Sequence, residues 1–172
     1  MSAQVLSAQQ QRLVIDEVER YLDLVSREFN VELPRIEVRF DLIGKTVGMY
    51  RKKRDERVIR FNAYVFAKYW QESLHDTVPH EVAHYVSDIM FDCRYIRPHG
   101  REWQSIMRFF GVEPKTRCYF DLSDIPGREI RRFDYLCGCG THQLTAVRHN
   151  RIKAGKRRYF CRSCSAELVQ VA

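Results

Sequence analysis

The sequence predicts an α+β fold in two parts, a body over residues 1–130 and a small cysteine-bearing appendage over 131–172. Three stretches repeat apolar residues at helical spacing, and short stretches after the first of them alternate apolar with polar residues as half-buried strands do. Four of the six cysteines fall in the last 36 residues. A chain of 172 residues can bury a core of ordinary size, and 45% hydrophobic with 30% charged residues, eight Gly and five Pro excludes disordered and fibrous classes.

Val14, Val18, Tyr21, Leu22, Val25 and Phe29 mark one face of a helix over 8–29, opened by a Ser7–Gln10 capping box and stopped by Pro34. Ile36, Val38 and Phe40 then alternate with Glu37, Arg39 and Asp41 as a strand. Further strands are expected over 46–51 and 57–62. The run Arg51-Lys52-Lys53-Arg54 between them is either a solvated turn or a nucleic-acid contact. A short helix over 64–72 precedes a second clear stripe at Val78, Val82, Tyr85, Val86 and Ile89, with Pro79 in its first turn. Trp103, Ile106, Met107 and Phe110 form the third, closed by Gly111.

No stretch approaches the roughly 18–20 apolar residues that span a bilayer, and Met1 to Gln11 lacks the pattern of a secretory signal, so a soluble, cytoplasmic protein without a membrane partner is expected. In a reducing compartment clustered cysteines bind metal more often than they pair. The formal charge of +7 is uneven: residues 1–130 carry 20 Lys and Arg against 20 Asp and Glu, whereas 131–172 carry 9 against 2. A neutral body with a basic end implies a polyanion-binding appendage.

His80-Glu81-Val82-Ala83-His84 lies on the second helix, where residues four apart stand one turn above each other, so both imidazoles reach one metal. The stripe at Val78, Val82 and Val86 is about 200° round the helix from them, leaving one face to pack and the other to line a cleft. Catalytic zinc needs three protein ligands. His99 is the expected third, because the helical stripe of Trp103, Ile106 and Phe110 carries it inward; Glu102 is the carboxylate alternative. Asp88 and Asp92 continue the histidine face, but successive turns of one helix do not converge easily on one ion. Glu81 then acts on zinc-activated water as general acid and base, which is peptide hydrolysis without a covalent intermediate. His75 has no such support and reads as a surface or helix-start residue.

Cys161-Arg-Ser-Cys164 has the spacing of a zinc knuckle, and Cys137-Gly-Cys139 supplies a second pair. His142 stands in a Cys-x-x-His spacing with Cys139 and remains an alternative ligand. A site closed by four protein ligands leaves no place for substrate, so this zinc is structural and holds a small hairpin. Arg148, His149, Arg151, Lys153, Lys156, Arg157 and Arg158, with Tyr159 and Phe160 beside them, are expected either to bind nucleic acid or to form a solubilising charged hairpin with packed aromatics. Cys93 and Cys118 read as core or half-buried thiols.

Together, Asp76-Thr77-Val78-Pro79-His80-Glu81-Val82-Ala83-His84, the later His99-Gly100, and the tail from Tyr135-Leu-Cys137-Gly-Cys139 through Arg148-His149-Asn150 to Tyr159-Phe-Cys161-Arg-Ser-Cys164 resemble the SprT family of zinc metalloproteases, bacterial relatives of the Spartan protease domain. The resemblance covers nearly the whole chain. It implies a minimal zincin-like domain in which His80, His84 and His99 bind catalytic zinc and Glu81 is the acid/base, followed by a zinc ribbon, with proteins bound to DNA as candidate substrates. The Cys-x-Cys spacing departs from the commoner Cys-x-x-Cys of ribbons. A rival reading is a nucleic-acid-binding or regulatory ribbon protein whose protease-like body has little activity.

Overall fold

Helix α1 spans Ala8–Phe29 in the computed structural model, which describes residues 5–92, 94–117, 119–127 and 131–171. Cys93 and Cys118 lie outside the described residues. The capping box forms: Ser7 Oγ accepts from the Gln10 N–H at 3.2 Å and Gln10 Oε1 from the Ser7 N–H at 3.0 Å. Val14, Val18, Tyr21, Leu22 and Val25 are its buried face. Phe29 is 42% exposed and meets Phe109 edge-on. The helix stops before Pro34, at Asn30, whose φ of 48° is left-handed and whose N–H returns to the Ser26 carbonyl. Asn bears that conformation at lower cost than most residues.

The chain divides into two compact units, Met1–Gly127 and Arg128–Ala172. In the first, strands β1 (Glu37–Arg39), β2 (Gly48–Lys53) and β3 (Glu56–Phe61) form a sheet of order β1-β3-β2. β1 runs parallel to β3, and β2 antiparallel in the register Gly48↔Phe61 to Lys53↔Glu56. Central β3 carries buried Val58, Ile59 and Phe61, while β2 is an edge. The basic run ends β2 and enters its turn, where Arg54 takes a φ of 56°.

The expected helix over 64–72 is broken at Tyr69 into α2 (Ala63–Lys68) and α3 (Trp70–Glu72). Buried Asn62 organises this corner. Its Oδ1 accepts from the Tyr64 and Val65 N–H groups, capping α2, and its Nδ2 donates to the carbonyls of Gly44 and Thr46 at 2.9 and 3.2 Å. A π-turn at Ser73–Thr77 leads into α4 (Val78–Phe91). Helix α5 (Arg101–Phe109) ends as expected at Gly111, whose φ of +74° lets the Val112 N–H reach the Met107 carbonyl. Val14, Val18 and Val25 of α1 share one core with Val82 and Val86 of α4 and Ile106 and Met107 of α5. Among the described residues no helix is long and apolar enough to cross a membrane.

The second unit is a hairpin of β4 (Arg132–Cys137) and β5 (Gly140–Thr145), with β6 (Val169–Gln170) on the other edge of β4. Between β5 and the knuckle lies helix α6 (Ala146–Lys153), where only a charged hairpin was expected. Its inward positions are His149 and Ile152, three residues apart. His149 is therefore core and not part of a basic surface: it stacks on Phe133 at 3.7 Å and its Nδ1 meets the Tyr135 hydroxyl at 3.1 Å. The buried cluster of Tyr135, Leu144, Cys161 and Leu168 is small, the situation in which a metal commonly supplies what the core cannot.

Candidate active site and second metal centre

The first turns of α4 present His80 and His84 from one face, as their spacing requires. His99 joins them from outside any helix: α5 starts only at Arg101, with Gly100 as N-cap, so the helical-stripe argument for His99 does not hold. Trp103 brings it in. The wholly buried indole lies 4.7 Å from the His99 ring, 4.8 Å from His80 and 5.6 Å from His84, and donates to the His80 carbonyl at 3.2 Å. Gln104 Nε2 donates to the His99 carbonyl.

The three Nε2 atoms form a triangle with every side 3.2 Å. Ligands at about 2.0–2.1 Å from zinc in a tetrahedral site stand about 3.3–3.4 Å apart, so the triangle fits that ion. Burial first, then the neighbouring imidazoles, push His80 down to about 4 and His84 to about 3, and burial lowers His99. Neutral imidazoles are the form that binds metal. Glu102 is not among the converging ligand atoms.

Glu81 is buried beside this triangle, and both it and the histidines line a cleft of about 470 Å³. Burial pushes its carboxyl up to about 7, against the pull of the Tyr50 N–H, which donates to Oε2 at 2.6 Å. Gly48 makes the approach of β2 possible. A Cβ there would lie 2.8 Å from Glu81 Oε1 and 2.8 Å from Thr77 Cγ2. Two turns beyond Glu81, the Asp88 carboxylate, 1% exposed, accepts from the Tyr50 hydroxyl at 2.7 Å, Lys52 Nζ at 2.8 Å and Arg57 Nε at 2.7 Å. Asp88 thus fastens β2 and β3 to the histidine helix. Asp92 has left the helix, with a φ of 56°, and pairs with Arg94.

In the second unit the Sγ atoms of Cys137, Cys139, Cys161 and Cys164 all lie within 4.8 Å of one another. Cys137 and Cys139 are 3.2 Å apart and Cys139 and Cys161 3.5 Å, far beyond a disulfide and near the roughly 3.8 Å separation of thiolates about 2.3 Å from one zinc. Backbone N–H donation around Cys139 pulls the Cys137 thiol down to about 6, while the neighbouring sulfurs push Cys139 up to about 12. Four sulfurs this close are compatible with one zinc ion. His142 Nε2 lies 3.0 Å from Cys137 Sγ but outside the converging group of four.

The SprT-like family model matches residues 16–120 of the chain. This chain belongs to the SprT-like family. It is 31% identical over 160 residues to Protein SprT of Shewanella oneidensis, covering 92% of this chain and 98% of that one. It is 40% identical over 144 residues to Protein SprT of Pseudomonas paraeruginosa, covering 82% and 84%, and 33% identical over 154 residues to that of Glaesserella parasuis, covering 89% and 94%. No solved structure matches it. The Shewanella likeness runs past residue 120 into the cysteine-bearing unit, so this SprT-like chain shares more than the histidine-bearing body with its relatives.

The Lys and Arg residues of the second unit proposed above for nucleic acid all sit on its surface, whereas His149 is buried. Arg148, Arg151 and Lys153 project from α6, and Lys156, Arg157 and Arg158 follow in the loop. Arg158 pairs with Glu167, and Arg148 lies over the Tyr159 ring. Of the two aromatics, Tyr159 packs into the ribbon core and Phe160 is 55% exposed. The SprT-like site also contains residues that the sequence reading passed over: Gly48 and Tyr50 on β2, and Asp88 as a clamp. Their partners are 31 to 38 residues away in the chain, so no local spacing points to them.

Proposed function

We propose that this chain is a zinc-dependent metallopeptidase, cytoplasmic, that hydrolyses proteins associated with nucleic acid. The observation that carries the reading is the 3.2 Å triangle of His80, His84 and His99 Nε2 atoms opening into one cleft with the buried Glu81 carboxyl. Zinc held there supplies a Lewis acid that polarises the peptide carbonyl and activates water at neutral pH. Glu81 holds and moves the proton. Its Oε2 is fixed by Tyr50, so Oε1 is the atom that takes the proton from water and delivers it to the departing amine. A carboxyl poised near neutrality can do both.

Cys137, Cys139, Cys161 and Cys164 hold the second, structural zinc, with no position left for substrate. Clustered free thiols suit a reducing cytoplasm. The basic residues of α6 and its following loop, beside exposed Phe160, supply counterion release and stacking toward nucleic acid. The test is cleavage of a DNA-binding protein in the presence of single-stranded DNA by wild type and Glu81→Gln at equal zinc content. Loss of cleavage in Glu81→Gln supports the reading. Equal cleavage by both removes Glu81 from its role, and none by either leaves the ribbon-only reading ahead.

A further inference from the structure

The cleft has two arms that meet over Gly48, His80 and Glu81. One is lined by Met49, Ile96 and Pro98; its second carboxylate, Asp88, is already saturated by Tyr50, Lys52 and Arg57. Beyond the histidine site that arm is mostly apolar. The other, about 270 Å³, is lined by Lys45 and Arg117 with Thr77 and Thr116, and its only carboxylate is Glu81 itself. Lys45 and Arg117 are exposed, and neither makes an ion pair among the described residues.

Lys45 stands on fixed backbone. The carbonyls on either side of Lys45, those of Gly44 and Thr46, are pinned by the buried Asn62 amide, and the Gly44 N–H donates to the Pro126 carbonyl at 2.9 Å. Arg117 lines the same concavity beside Thr116. Positive charge with no ion-pair partner among the described residues therefore lines one side of the reacting groups, and no Lys or Arg lines the other.

We propose that the cleft selects polypeptides that place an acidic side chain against Lys45 and Arg117 on one side of the scissile bond and an apolar side chain on the other. This deepens the peptidase reading and rests on it for the scissile bond. Two cations in a concavity that opens on the reacting groups suit carboxylates of an extended peptide, whereas a nucleic-acid backbone is tracked by a longer run of cations.

The test is binding to full-length, zinc-loaded Glu81→Gln, followed by fluorescence anisotropy at low salt. The probes are labelled peptides carrying a leucine pair with glutamates on its N-terminal side or on its C-terminal side, each with a glutamine counterpart. One of the two acidic peptides is expected to bind on the order of fivefold to tenfold tighter than its glutamine counterpart. Adding Lys45→Ala and Arg117→Ala, both exposed, should bring that ratio to about one. An unchanged ratio, or a ratio near one from the start, overturns the proposal. So does a result in which the double substitution weakens a single-stranded oligonucleotide but not the acidic peptide. Because binding is the readout, a charge-dependent preference with no cleavage by wild type would sink the peptidase reading and keep this recognition, and cleavage without preference would do the reverse.

Discussion

Tyr50 holds Glu81 from the edge of the sheet, its backbone N–H 2.6 Å from Oε2, while its phenol donates to Asp88 two helical turns further on. Residues 81 and 88 lie on one face of α4, so a single strand residue fixes the helix at two points. Burial and the Asp88 carboxylate also push the Tyr50 phenol up, keeping it a donor at any physiological pH. The carboxyl proposed to move the proton is thereby set by a backbone group rather than a side chain, and substitution of Tyr50 alone does not remove it.

Gly48 is where this arrangement is most easily broken. An alanine methyl 2.8 Å from Glu81 Oε1 and Thr77 Cγ2 must push the carboxyl or the strand aside. Gly48→Ala is predicted to lower kcat/KM by about 10²-fold with zinc content unchanged, at a stability cost of about 1–3 kcal/mol. Steady-state kinetics beside metal analysis check it; activity within a few-fold of wild type would contradict the close approach.

Asp88→Asn removes the charge that gathers Lys52, Arg57 and Tyr50. Stranding buried partners usually costs about 3–5 kcal/mol, but Lys52 and Arg57 keep 30% side-chain exposure and recover some hydration, so about 2 kcal/mol is expected. Asp92→Asn, at a half-buried position whose positive φ suits Asn, serves as control and should leave the denaturation midpoint close to wild type. Urea unfolding of the two variants side by side reads the difference.

Charge reversal at Arg151, Lys153, Arg157 and Arg158 is expected to weaken single-stranded DNA binding and make the log–log salt slope shallower by about 3. These residues are on the surface of the second unit, so the ribbon should keep its metal. An unaltered slope, measured by titration at several salt concentrations, would remove the nucleic-acid assignment from this face.

Much of the body could be read from spacing alone, because α1, α4 and α5 each carry a regular apolar stripe, and His80 and His84 share a face by helical geometry. His99 was legible as a residue but for another reason than its position shows: it precedes α5 and is held by Trp103. What stayed hidden depends on distant or backbone partners. Nothing in the residues around Gly48 tells that a carboxyl comes within contact of it, and Asp88 reads as another polar residue on the histidine face until β2 and β3 are laid against it. Helix α6 escaped because its buried side offers only His149 and Ile152 among charged neighbours, too short a stripe to show a period.

Two separate metals per chain, one on three histidines and one on four cysteines, underlie the proposed function. Elemental mass spectrometry of zinc per chain on wild type, His80→Ala and Cys161→Ser tests it most directly. About two zincs are expected in wild type and about one in each variant, with Cys161→Ser retaining the histidine-bound ion. One zinc in wild type and His80→Ala alike would contradict it, since the histidine triangle would then bind none as purified.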